Sequence, residues 1–111
     1  MTQAELLAAL KSTGLPVAYS AFIETPTTPL PKPPFVTYIF SYSGDMMADN
    51  TNYLEINNFQ IELYTVKKDL AAEKLVKDKL KELELPYTQT EAWLDDEKLF
   101  QNIFEIQLIG G

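Results

Sequence analysis

The sequence contains no cysteine, no histidine and no arginine. Without cysteine there are no disulfides, no thiolate nucleophile, no iron–sulfur cluster and no cysteine zinc site. Without histidine the usual general base near neutral pH and the commonest metal ligand are missing. All nine basic residues are lysine, which removes the planar fork that clamps phosphates and carboxylates bidentately. An enzyme built from this chain would have only carboxylates, Lys, Tyr, Ser and Thr to work with, so a non-enzymatic role is expected. No apolar run approaches the ~20 residues a membrane helix needs. The start, Met1-Thr2-Gln3-Ala4-Glu5, lacks the basic and apolar regions of a signal peptide. Gly44 stands alone and makes no phosphate loop.

What is present describes one α+β domain over residues 1–111, with a hydrophobic fraction of 46%. Such a composition reads as a soluble protein made in the cytoplasm. Net charge is −7. Five lysines, Lys67, Lys68, Lys74, Lys77 and Lys79, fall close together, but Asp69, Glu73, Asp78 and Glu82 interleave with them. That pattern reads as a solvated helix face rather than a grip on nucleic acid. Beside DNA, a chain this acidic acts as a repelling wall. Asp45 and Asp49 share one loop and Asp95-Asp96-Glu97 a turn, yet neither has the alternating ligands, central Gly and closing Glu of a calcium loop. They read as solvated turn carboxylates, and no metal or cofactor is expected.

Periodicity places the elements in the order α-β-β-β-α-β-β. Residues 2–13 are a short helix, opened by a Thr2/Glu5 capping box and closed by Gly14 and Pro16. Val17, Tyr19, Ala21 and Ile23 share one face of a strand over 17–23. Residues 35–42 form a strand with bulky groups on both faces, central or covered on both sides. Residues 51–66 form a long strand with a possible break at Asn57-Asn58. The clearest helix is 69–84, with Asp69 as N-cap and Ala72, Leu75, Val76, Leu80 and Leu83 on its apolar face. Strands 87–94 and 99–109 follow, with Phe100, Phe104, Ile106 and Leu108 on one face of the second. The result is a mainly antiparallel sheet of about five strands carrying two helices, with hairpins 35–66 and 87–109.

Two long connections stand out. Five of the seven prolines fall between Thr25 and Pro34, so this stretch is an extended loop of polyproline character. A ligand for an SH3 or WW domain is one reading and a Pro-rich connector the commoner one. The second loop, 43–50, sets Met46 and Met47 beside Asp45 among otherwise polar residues. Pro26, Pro29, Leu30, Pro31, Lys32 and Pro33 of the first loop, with Asp45, Met46 and Met47 of the second, are the candidate contact residues. Tyr38, Phe40 and Tyr42 are candidates for a self-association face, because a sheet this apolar with only two helices has more face than it can cover alone.

Ala48-Asp49-Asn50 through Gln60-Ile61-Glu62-Leu63-Tyr64-Thr65, then Lys68-Asp69, Glu73 and Asp96-Glu97-Lys98-Leu99-Phe100, resemble a family of small proteins of tailed phages and prophages of Gram-positive bacteria. So do the opening helix with Gly14-Leu15-Pro16-Val17-Ala18-Tyr19, and Pro33-Pro34-Phe35 leading into the second strand. The family is similar to the tail-terminator or tail-completion proteins of long-tailed, non-contractile phages. The resemblance covers nearly the whole chain and rests on scaffold positions, not on a catalytic signature. It implies a small α+β fold and a hexameric ring on the head-proximal end of the tail tube, in the neck of the virion. That ring would stop tube growth and meet the major tail protein on one side and a head-completion or connector protein on the other. DNA would pass through without specific binding, and no membrane is involved. A head-closure or connector protein is the nearest rival reading, and a small monomeric binding module the rival of a different class.

Overall fold

The computed structural model describes residues 1–48 and 51–110. Asp49 and Asn50 of the second expected loop lie outside the described residues. Helix α1 (Gln3–Lys11) starts where its capping box predicts. The Thr2 hydroxyl accepts from the Glu5 amide, and the Glu5 carboxylate accepts from the Thr2 amide, each at 3.1 Å. Gly14, at φ +88°, turns the chain out of the helix in a conformation a side chain would strain.

Strand β1 (Val17–Tyr19) is shorter than the expected 17–23, because Ser20 takes φ +65° and ends it. Ile23 therefore does not share a sheet face with Val17 and Tyr19, and it is exposed. β1 lies parallel to β2 (Phe35–Ser43), with Val17 opposite Val36. Parallel neighbours need a long return connection, and the Pro-rich stretch supplies it.

The sheet runs β1-β2-β5-β7-β6, with β5 (Ile56–Thr65), β6 (Thr88–Leu94) and β7 (Leu99–Ile109) all antiparallel to their neighbours. The expected hairpins 35–66 and 87–109 are present. The first carries an inserted two-stranded ribbon, β3 (Met46–Ala48) with β4 (Thr51–Leu54). Loop 43–50 is thus partly strand. The long third strand divides at Glu55 rather than at Asn57-Asn58. The irregularity near Asn58 sits in its partner: a bulge between Phe40 and Tyr42, where the Asn58 amide donates to the Tyr42 carbonyl at 3.1 Å.

Both helices cover one face. Leu6 and Leu10 of α1, and Ala72, Val76 and Leu80 of α2 (Leu70–Glu82), pack on Val36, Ile61, Leu63, Phe104, Ile106 and Leu108. The period-two pattern of β5 and β7 predicts this face, and each fully buried Leu, Ile or Phe contributes roughly 1.5–3 kcal/mol. Two expectations for the second helix are corrected. Leu75 is 44% exposed and lies off the packed stripe. Glu73, placed by the sequence on the solvated side, is 2% exposed, because it lies three residues before Val76 on the stripe itself. Among the described residues no helix is long and apolar enough to cross a membrane.

Candidate functional site

The covered core is the middle of the sheet, and each end of it carries exposed apolar groups. At the first pole β2 ends and β7 ends. Phe40, Tyr42, Met46, Met47 and Ile109 are exposed there, Met47 to 70%. The ribbon that presents the methionines is held at its base. The Gly44 amide donates to the Ile56 carbonyl at 2.8 Å, and the Asp45 carboxylate accepts from the Ile56 amide at 2.9 Å. Asp45 therefore shapes the ribbon, while Met46 and Met47 stand out from it.

The three tyrosine and phenylalanine candidates of β2 do not form one face. Tyr38 is 3% exposed and packs edge-on against Tyr19 at 5.1 Å, so it belongs to the core. Phe40 keeps the helix side and meets Phe59 edge-on at 5.8 Å, at a point the helices leave open. The bulge then pairs Tyr42 with Asn58, which turns Tyr42 to the opposite side of the sheet.

That opposite side has no helix on it. By register it carries Gln60, Glu62, Tyr64, Gln101, Glu105 and Gln107 along β5 and β7, and no lysine. Toward the second pole, Tyr64 donates its hydroxyl to Glu62 at 2.9 Å and Gln101 donates to both. Burial, with the Glu62 carboxylate beside it, pushes the Tyr64 phenol up from its ordinary value. Toward the first pole the same face is hollowed into a cleft of about 450 Å³, walled by Tyr42, Asn58, Gln60, Glu105, Gln107 and Ile109. Glu105 is the one charged residue that lines it.

The second pole gathers Val66, Leu70 and Trp93, all exposed. It lies where β2 and β7 begin and β5 and β6 end. The Pro-rich stretch arrives here. It is not uniformly extended: Thr25 and Thr28 close a tight bend by exchanging backbone hydrogen bonds at 2.9 and 3.2 Å, with Pro26 inside it. From Pro29 to Lys32 the chain has no regular structure, and Leu30 and Lys32 face solvent. Pro31 and Pro33 are half-buried. An aromatic stack, Phe22 on Phe35 at 5.3 Å and Phe35 on Tyr64 at 5.2 Å, ties both ends of the stretch to the sheet. The nine residues of β2 separate this stretch from the methionine ribbon, about 26 Å at the rise of a strand. The two candidate contact segments are thus at opposite ends of the molecule.

A cluster absent from the sequence reading lies between α2, β6 and β7. Glu73 is paired with the Lys68 ammonium at 2.8 Å and accepts from Gln89 at 2.9 Å. Gln89 also donates to Asn102 at 2.8 Å, and Lys68 bridges to Glu91 at 2.8 Å. The Lys68 ammonium holds the Glu91 carboxyl below its usual range, and Glu73 and Glu91 together raise Lys68. Two signals pointed to it: Glu73 at stripe spacing on α2, and Asn102 at period two between Phe100 and Phe104. The cluster closes the core with paired charges and offers no open cleft. Among the described residues no group of three or more acidic side chains is placed to hold a metal.

No family model matches the chain, and no curated protein matches it either.

Proposed function

We propose that the protein is a virion structural protein, a tail terminator that assembles as a ring on the head-proximal end of a phage tail tube. The observation that carries this reading is the pair of exposed apolar poles at opposite ends of one sheet. Monomeric proteins rarely leave contiguous apolar surface open. When the two open surfaces differ and face opposite ways, the natural contact is heterologous, and heterologous contacts form a ring where the rotation between copies closes. The methionine ribbon adds soft, adaptable side chains suited to a surface that docks more than one partner. The resemblance noted in the sequence supplies the rest of the reading: the ring stops growth of the tube and offers its other side to the head-completion protein. The net charge of −7 suits a ring through which DNA passes without adhering. The protein would be made in the host cytoplasm and end in the neck of the virion.

The test is deletion of the reading frame from the phage or prophage that carries it, followed by electron microscopy of the lysate. DNA-filled heads beside free tails, some abnormally long, are expected. Normal tails beside emptied heads would move the role to head closure. Normal infectious particles would overturn assembly altogether and favour a binding module.

A further inference from the structure

We infer that the cleft at the first pole receives the Pro29–Lys32 segment of a neighbouring copy, so that the two poles are the two halves of one subunit contact. The inference rests on the self-association proposed above and names the segment that fills the site.

Three observations converge. The first is hydrogen-bonding chemistry. A proline-rich segment offers carbonyl acceptors and few N–H donors. Gln60 and Gln107 line the cleft, and among the described residues neither side-chain amide makes a hydrogen bond. Their NH₂ groups supply the donors such a segment lacks, and the Tyr42 ring and Ile109 supply the apolar walls that proline and leucine need. Leu30, half-exposed between two prolines, has no packing partner in its own core cluster.

The second observation is charge. Glu105 is the one charged group of the cleft. Lys32 is the only cation between Lys11 and Lys67. Both are exposed, and neither makes an ion pair among the described residues. The third is placement. Within one copy Leu30 and Lys32 face solvent and line no part of the cleft, so the segment does not occupy its own cleft, and the next copy in a head-to-tail series can fill it.

The test uses the full-length protein and a synthetic peptide of residues 24–35 as probe. Titration of the peptide into isotope-labelled protein should shift the backbone amides of Asn58, Gln60, Thr88 and Gln107. Glu105→Lys should weaken the peptide about fivefold, the scale of one exposed charge contact, and a peptide carrying Lys32→Glu should recover that loss. Because Glu105 is exposed, the substitution leaves the fold intact, which the unshifted remainder of the spectrum reports. No shifts, or shifts centred elsewhere, overturn the inference. Sedimentation of the whole protein separates this failure from failure of the proposed function. Concentration-dependent association unaffected by Glu105→Lys overturns the cleft and keeps the ring. Peptide binding at the cleft with no association of the intact chain keeps the cleft and overturns the ring.

Discussion

The middle of the sheet and its two ends obey different rules. In the middle, α1 and α2 press on one face of β2, β5 and β7 and bury the apolar side chains of that face. Val76, Ile61 and Phe104 have no exposed surface. At the ends the same strands run beyond the helices, and the same residue types stand in solvent. Tyr38 and Tyr42 make the contrast within one strand: 3% exposed against 60%. The lesson is that apolarity alone does not say what a residue is for. What decides is whether the fold itself supplies the covering layer. Where it does, the side chain stabilises the monomer; where it does not, the side chain is available to a second molecule.

The comparison breaks most visibly at Val76. Replacing it with Asp places an unpaired charge at the centre of the covered face, with an expected loss of about 4 kcal/mol or more. For a domain this size that is enough to abolish cooperative unfolding in a thermal melt. A near-native melting temperature would mean that α2 does not present this residue to the sheet. Glu73→Ala is the next largest. It leaves the Gln89 amide and the Lys68 ammonium without their carboxylate, and an expected cost of roughly 1–3 kcal/mol follows. Chemical denaturation measures it. Lys68→Ala should cost a comparable amount, since it leaves the buried Glu73 carboxylate with the Gln89 amide and, at 4.0 Å, the Lys77 ammonium.

At the poles the expected effects on stability fall to a few tenths of a kcal/mol. Met47→Ser removes apolar surface that is 70% exposed, so its melting temperature should match that of the parent while its self-association weakens. Shortening residues 25–34 to a Gly-Ser link should behave likewise, because most of that stretch packs on nothing. The Phe22–Phe35 contact at its base remains. Sedimentation and melting curves on the same samples make the test. If either change lowers stability as far as Glu73→Ala does, the poles are part of the core and the distinction drawn here fails. If shortening the Pro-rich stretch leaves assembly untouched, that stretch is a connector and nothing more.

The sequence was a good guide to the middle and a poor one to the ends, for a physical reason. Helix and strand periodicity report burial against the same chain, and residues 59–63 and 104–108 display it without interruption. The capping pair Thr2/Glu5 and the Asp69 cap work the same way, through partners three residues off. The bulge at Ser41 carries no such signal. It depends on how β2 and β5 pair at a separation of sixteen positions along the chain, and it alone moves Tyr42 from one side of the sheet to the other. The early end of β1 turns on the left-handed backbone of Ser20, which no periodicity announces. Glu73 looked solvated because its neighbours in sequence are charged. Its partner Gln89, which also bonds Asn102, comes from a strand far along the chain. The cleft at Tyr42 likewise draws its walls from four strands, and no local pattern announces it.

The smallest expected effect is the dependence of stability on pH, and its two limbs sharpen the same contrast. On the acid side, the Lys68 ammonium holds Glu91 below its ordinary 4.5, and bonds from Thr2 hold Glu5 below the same value. A carboxyl lowered in the folded state contributes stability that is present above 4.5 and is lost as pH falls through the lowered value. Both carboxylates are exposed, so the acid limb should be shallow. On the alkaline side, burial and Glu62 raise Tyr64 above 10.0, and Glu73 and Glu91 raise Lys68 above 10.5. Groups raised in the folded state contribute stability below those ordinary values and lose it as pH rises through the raised ones. Denaturation followed across pH should therefore show a plateau through neutral pH with a decline at each extreme. Lys68→Met should flatten both declines, because it removes the raised amine and the charge that lowers Glu91. Met47→Ser changes no charge and lies away from the Lys68 cluster, so it should leave the profile superimposable on that of the parent. A Met47→Ser profile that departed from it would tie the ribbon to the charged cluster behind α2, and the two regions would no longer be separate.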